Sequence, residues 1–167
     1  MIALQLLEVK DCMQKLLLSD SFDSFSFIDG SITTFATFTF DGYIHKNYYN
    51  TDEQESSNQE EAVFSTWAKM RDYCYHVIKG KHTPLAFKFV LNLSTENTKK
   101  LLEHNLPTQD PTGIQGLYLN FQYDHGSLTC ITGTSMKSFT MDKTLEHLWD
   151  DTAMKYLKQK DILFEKI

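Results

Sequence analysis

The densest group of side chains able to do chemistry is Glu146, His147, Asp150 and Asp151. His147 and Asp151 stand four apart, which on a helix puts them on one face, within reach of a shared divalent cation. One helix supplies only part of a coordination shell, and no second cluster stands elsewhere in the chain. The pair is therefore a weak metal candidate. An enzymatic reading, a metal-assisted hydrolase using His147, Asp150 and Asp151, would have to rest on it. A solvated helix face with acids near its N-terminal half, where the dipole favours them, accounts for the same residues. Cys74 and His76 are two apart and point in different directions on a helix, so they make no thiolate–imidazole pair. Cys12, Cys74 and Cys130 form no CxxC and no zinc spacing, and read as buried free thiols of a reducing cytoplasm. Gly30, Gly42, Gly126 and Gly133 are isolated, and none belongs to a phosphate-cradling loop. The expectation is a protein without a cofactor that leans away from being an enzyme.

Three other groups suit binding better than catalysis. Lys10 and Lys15 fall in one helical stretch, and Lys99 and Lys100 in another; on a shared surface the four would contact phosphates without reading sequence. Lys79, Lys81, His82 and Lys88 make a second basic patch. Tyr43, Tyr48 and Tyr49 cluster beside a polar segment, where tyrosines bury area at low entropic cost and mark a partner surface, for another protein or for a second copy.

Composition bounds what can position these groups. The 167 residues fit one domain, 1–167, and 41% apolar with 13% aromatic residues is ample core material. The net charge is −6. Five acids, Asp52, Glu53, Glu55, Glu60 and Glu61, lie without a base in the segment 51–61; the rest of the chain carries only −1. That excludes the strong positive field of a free-standing nucleic-acid binder. Residues 50–61 are expected to be a mobile acidic loop. No apolar run approaches the ~20 residues of a membrane helix. Met1–Leu7 has no basic start or small-residue cleavage site, so a signal peptide is not expected.

Periodicity then predicts the elements. Leu4 and Leu6 alternate with Ala3 and Gln5 as a half-buried strand, and Val9–Leu18 repeats its apolar residues at helical spacing. Phe25 and Phe27 open a strand; Asp29-Gly30 signals a hairpin turn, Phe38 and Phe40 follow in step, Asp41-Gly42 turns again, and Tyr43–Tyr49 adds a short strand. Val63, Trp67, Met70, Cys74 and Val77 define a helix from Glu61 to Lys79, stopped at Gly80. Leu85–Leu93 is a strand, Ser94 caps a helix over Thr98–His104, and Leu117–Tyr123 turns at His125-Gly126 into Leu128–Thr132. Gly133 breaks or bulges that strand, Met136–Met141 gives another, and Asp142–Lys160 is a last helix.

The order strand, helix, strand, strand, strand thus occurs twice, over about 1–49 and 85–141. Leu16-Leu17 aligns with Leu101-Leu102, Lys15 with Lys100, and Asp11 with Glu96. Gly30 aligns with Gly126, Phe25 with Phe121, and Ser31 with Ser127. The fold class is α+β, with two strand–helix–strand–strand–strand repeats plus two additional helices; a ferredoxin-like sandwich is the alternative. The repeated order resembles one domain of a DNA sliding clamp, a resemblance that implies helices facing a DNA channel and Lys10, Lys15, Lys99 and Lys100 on one surface. Ser31-Ile32-Thr33-Thr34-Phe35 and Lys79-Gly80-Lys81-His82-Thr83-Pro84-Leu85 also resemble an uncharacterised bacterial family of unknown function. The functional expectation is a non-enzymatic binding or scaffold protein, with DNA as one candidate partner; a homo-oligomeric structural module is a further alternative.

Overall fold

The strands assemble where alternation lets one face be apolar and the other polar. In the computed structural model, which describes residues 1–49 and 62–167, seven antiparallel strands form one sheet in the order β3-β2-β4-β5-β6-β1-β7. They are β1 (Ala3–Leu6), β2 (Phe25–Thr33), β3 (Thr37–Asp41), β4 (Ala86–Leu93), β5 (Ile114–Asp124), β6 (Ser127–Met136) and β7 (Phe164–Lys166). Among the described residues four α-helices connect them: α1 (Val9–Leu17), α2 (Trp67–Ile78), α3 (Thr95–Asn105) and α4 (Thr144–Gln159). The expected acidic loop, and the start of the helix expected at Glu61, lie outside the described residues.

Register sorts the two faces. Ile32, Phe87, Tyr123, Leu128 and Leu6 lie side by side across five strands, and Phe89, Phe121, Cys130 and Leu4 form the next row; all are buried. Between them run Ser31, Lys88, Gln122, Thr129 and Gln5, a polar row on the opposite face. Burying one Phe or Leu is worth about 1.5–3 kcal/mol, so a slip by one residue, which would exchange the rows, is heavily penalised. The helices cover the apolar face. Trp67 of α2 sits between Phe27 and Phe89, with ring centroids 5.5 and 5.2 Å away, and its indole N–H donates to the Leu16 carbonyl of α1 at 2.8 Å. Trp149 of α4 is buried likewise and donates to the Tyr118 carbonyl at 2.9 Å. Each indole thereby buries its area without stranding a donor.

Several sequence expectations are corrected. Asp29-Gly30 is not a hairpin turn but the middle of β2, just past a register shift between Phe27 and Asp29. Glycine is needed there for a different reason: a Cβ at Gly30 would stand 2.7 Å from the Lys88 carbonyl oxygen of β4. The chain turns at Thr34–Ala36 instead, leaving Phe35 95% exposed. His125-Gly126 is the hairpin expected, with φ of 48° and 79°, both central residues left-handed as a two-residue I′ turn demands. Gly133 neither breaks nor bulges β6, which pairs through it to Tyr118 in unbroken register. Tyr43–Tyr49 holds only an isolated bridge, Tyr43 to Phe64, and a 3-10 turn at Lys46–Tyr48. Met136–Met141 is no separate strand, since β6 ends at Met136. α2 starts at Trp67 because Phe64 and Thr66 are taken up in extended bridges to Tyr43 and Ser26. β7 was not anticipated; it pairs with β1 through Leu6–Phe164.

The class is α+β, but each unit has strand, helix, strand, strand among the described residues, without the expected fourth strand. The seven-strand order also departs from a ferredoxin-like sandwich. The units do not pair equivalently: β4 lies between β2 and β5, whereas β1 pairs with β6 and β7.

Candidate functional site

One cation of the first basic group, Lys10, and three residues of the second, Lys79, Lys81 and His82, meet at one end of the sheet. Val9, Met13 and Leu17 recur at four-residue spacing along α1, so they share one edge of that helix, with Lys10 beside them. The last turn of α2 offers Tyr75 and Ile78. The chain then runs through Lys79–Thr83 to a buried Pro84 before entering β4. Between α1 and this connection lies a groove of about 560 Å³. Its floor is apolar, formed by Met13, Leu17, Ile78 and Tyr123; Lys10 stands on one wall, and Lys79, Lys81 and His82 on the other. No Asp or Glu lines it. Lys10, Lys79 and Lys81 make no ion pair among the described residues. The Gly80, Lys81, His82 and Thr83 amides and carbonyls make no backbone hydrogen bond there either.

The four lysines expected to share a surface are not brought together. Lys99 lines a separate cavity of about 380 Å³ with Lys137, beside Asn92 and Ile114, at the end of the sheet opposite to Lys10. Lys15 pairs with Asp11 at 2.7 Å and donates to the Asp161 carbonyl at 2.8 Å. Lys100 pairs with Glu96 at 2.7 Å, and that ammonium holds the Glu96 carboxyl below its ordinary range. Lys88 is exposed on the polar face of the sheet, apart from the groove.

Several of the other candidates have partners of their own. Tyr48 and Tyr49 pack edge to face at 5.4 Å, while Tyr43 contacts His45 and Phe64. Tyr48 is 84% exposed. In the acidic helix, Asp150 is buried; one oxygen accepts from the Thr132 hydroxyl, the other from the Met1 ammonium at 2.9 Å. Glu146 accepts from the same ammonium at 2.6 Å. His147 and Asp151 are exposed, and among the described residues no three His, Cys, Asp or Glu converge to hold a metal ion. All three thiols are buried. Burial pushes Cys12 up to about 11 and Cys74 up to about 12, and raises Cys130 further, so none is a ready thiolate near neutral pH.

A further cavity, of about 440 Å³, lies between α3 and α4 over Phe25, Leu119 and Trp149. Two of its polar groups are engaged: Lys160 lies over the Tyr156 ring at 5.4 Å, and the Tyr156 hydroxyl donates to the Ser21 carbonyl. In the groove beside α1, by contrast, three lysines without an ion pair among the described residues meet an unpaired stretch of backbone.

Fold and groove together define a small α+β protein with an apolar cleft rimmed by unpaired bases. Residues 15–165 match the model of a family of unknown function (DUF5721), and the chain belongs to that family. No curated protein and no solved structure matches it. No helix among the described residues is long and apolar enough to cross a membrane. Lys10 and Lys81 are 71 positions apart, so no spacing pattern in the sequence could have joined them; the free cations of the Lys79–Pro84 run were its only visible signal.

Proposed function

We propose that this protein is a non-catalytic binding module that captures an anionic partner in the groove between α1 and the α2–β4 connection. One observation carries the reading: Lys10, Lys79 and Lys81 stand around a single apolar floor with no acid lining it. Like charges held close repel one another, so a rim of this kind is relieved by a negative ligand. The clamp-like version, in which DNA runs along the helices, has less support, since Lys15 and Lys100 are paired on their own helices and Lys99 lies at the far end.

Fluorescence anisotropy with a labelled all-glutamate decapeptide and a labelled 20-base-pair duplex tests the reading. Binding of at least one probe is expected at low salt and should fall as salt screens the charges. The double variant Lys10→Glu/Lys81→Glu should lose roughly tenfold or more, because each reversal removes an exposed ion pair worth up to about 1 kcal/mol and adds a repulsion. No binding to either probe at low salt, or equal binding by the double variant, would overturn it.

A further inference from the structure

We infer that the partner in this groove is a protein segment: an extended, acidic stretch that carries an apolar side chain flanked by carboxylates. The inference rests on the anion-binding reading above and adds the class of partner.

Three features select a peptide. The first is charge complementarity on two walls. Lys10 belongs to α1, while Lys79 and Lys81 belong to the facing connection, so the cations flank the floor from two elements. A segment with several carboxylates answers both. The second is the floor. Met13 is half-buried, Leu18 is 51% exposed at the rim, and Ile78 and Tyr123 close the base at 8% and 7% exposure. A rigid duplex has phosphates but no apolar group to fill such a base. The third is the backbone of Gly80–Thr83, which runs along one wall with its amides and carbonyls unpaired among the described residues. A partner backbone satisfies such groups, as peptides do when they pair with an exposed chain; an acyl chain has nothing to offer them.

The pattern follows from strand geometry. In an extended segment successive side chains point to opposite sides. An apolar side chain directed to the Met13–Ile78 floor therefore puts both neighbours outward, at the height where lysines on long stems reach. An acid–apolar–acid pattern satisfies floor and rim together.

The test compares three labelled probes by anisotropy on the full chain: a decapeptide of glutamates interrupted by two leucines, the all-glutamate decapeptide, and the 20-base-pair duplex. The leucine-containing peptide should bind about tenfold or more tightly than all-glutamate. Met13→Gln, which makes the floor polar, should abolish that preference, read as the ratio of the two peptides' affinities for the same variant. Lys10→Glu/Lys81→Glu should weaken both peptides, and Lys137→Glu, in the cavity at the other end, neither. Circular dichroism melts confirm that each variant folds. If the two peptides bind equally, the peptide inference fails while anion binding stands. Should the duplex bind more tightly than either peptide, the partner is nucleic acid and the inference is overturned. If no probe binds, both readings fall.

Discussion

α1 and α3 each follow the first strand of a strand–helix–strand–strand unit, and they carry matching residues. Asp11–Lys15 and Glu96–Lys100 are the same i,i+4 ion pair at the same 2.7 Å. The two helices are nevertheless held differently. α1 buries Cys12, Leu16 and Leu17, and α2 is locked to it through the Trp67–Leu16 hydrogen bond. Arg71 of α2 adds an ion pair to Asp23, at 2.9 Å, just beyond α1. α3 buries only Thr98 and Leu102. Its start is fixed locally: the Ser94 hydroxyl accepts from the Asn97 amide, a cap that α1 lacks. Equal local patterns thus give one helix clamped by tertiary packing and one anchored by its own end. The α1 side, where a third element closes over the helix, is also where the groove forms.

This contrast is open to measurement, beginning with the largest effect. Trp67→Ala should cost about 3–5 kcal/mol in chemical denaturation, since it removes a fully buried indole shared by α2, β2 and β4. A loss below 1 kcal/mol would mean that α2 does not clamp α1. High pH should act on the same buried layer. Cys12 and Cys74 ionise near 11 and 12 when folded, against an ordinary 9.0. Because folding raises these values, the stability they contribute is complete below pH 9 and is lost as pH rises through 9 to 12. The denaturation midpoint should fall over that window, and Cys74→Ala should flatten the fall.

The aligned leucines provide the sharpest comparison. Leu16→Ala should cost about 3 kcal/mol, and Leu101→Ala, at a half-buried position, about 1 kcal/mol. Equal losses would break the asymmetry between the units. Ser94→Ala should cost about 1 kcal/mol, whereas Glu8→Ala, at an N-cap that makes no side-chain bond, should stay within about 0.5 kcal/mol. Smallest of all, Lys10→Glu/Lys81→Glu should leave stability unchanged within about 0.5 kcal/mol, because neither lysine has an ion pair among the described residues. Its effect belongs to binding alone.

How much was legible follows from the range of each interaction. The stripe Val9, Cys12, Leu16, Leu17 and the cap at Ser94 were readable because their partners lie within four residues. So was the His125-Gly126 turn, whose positive φ values are local. Asp29-Gly30 shows the same dipeptide logic and misleads, since that glycine answers the Lys88 carbonyl on another strand. The expected fourth strands failed for a related reason. Alternation around Tyr43 and Met136 is real, but among the described residues no neighbouring strand extends the pairing beyond the Tyr43–Phe64 bridge or past Met136.

What the sequence determined by itself was therefore the set of short-range facts: helix stripes, strand alternation, one cap, one turn, three thiols destined for the interior, and two separate groups of bases. Tertiary structure decided the rest. It inserted β4 between β2 and β5, added β7 beside β1, and so parted Lys10 from Lys99, which the clamp resemblance had placed on one surface. It also joined Lys10 to Lys79 and Lys81. The reason is that strand order is set by which apolar rows bury best against one another across the whole sheet, and the surface charges are carried wherever that packing leaves them.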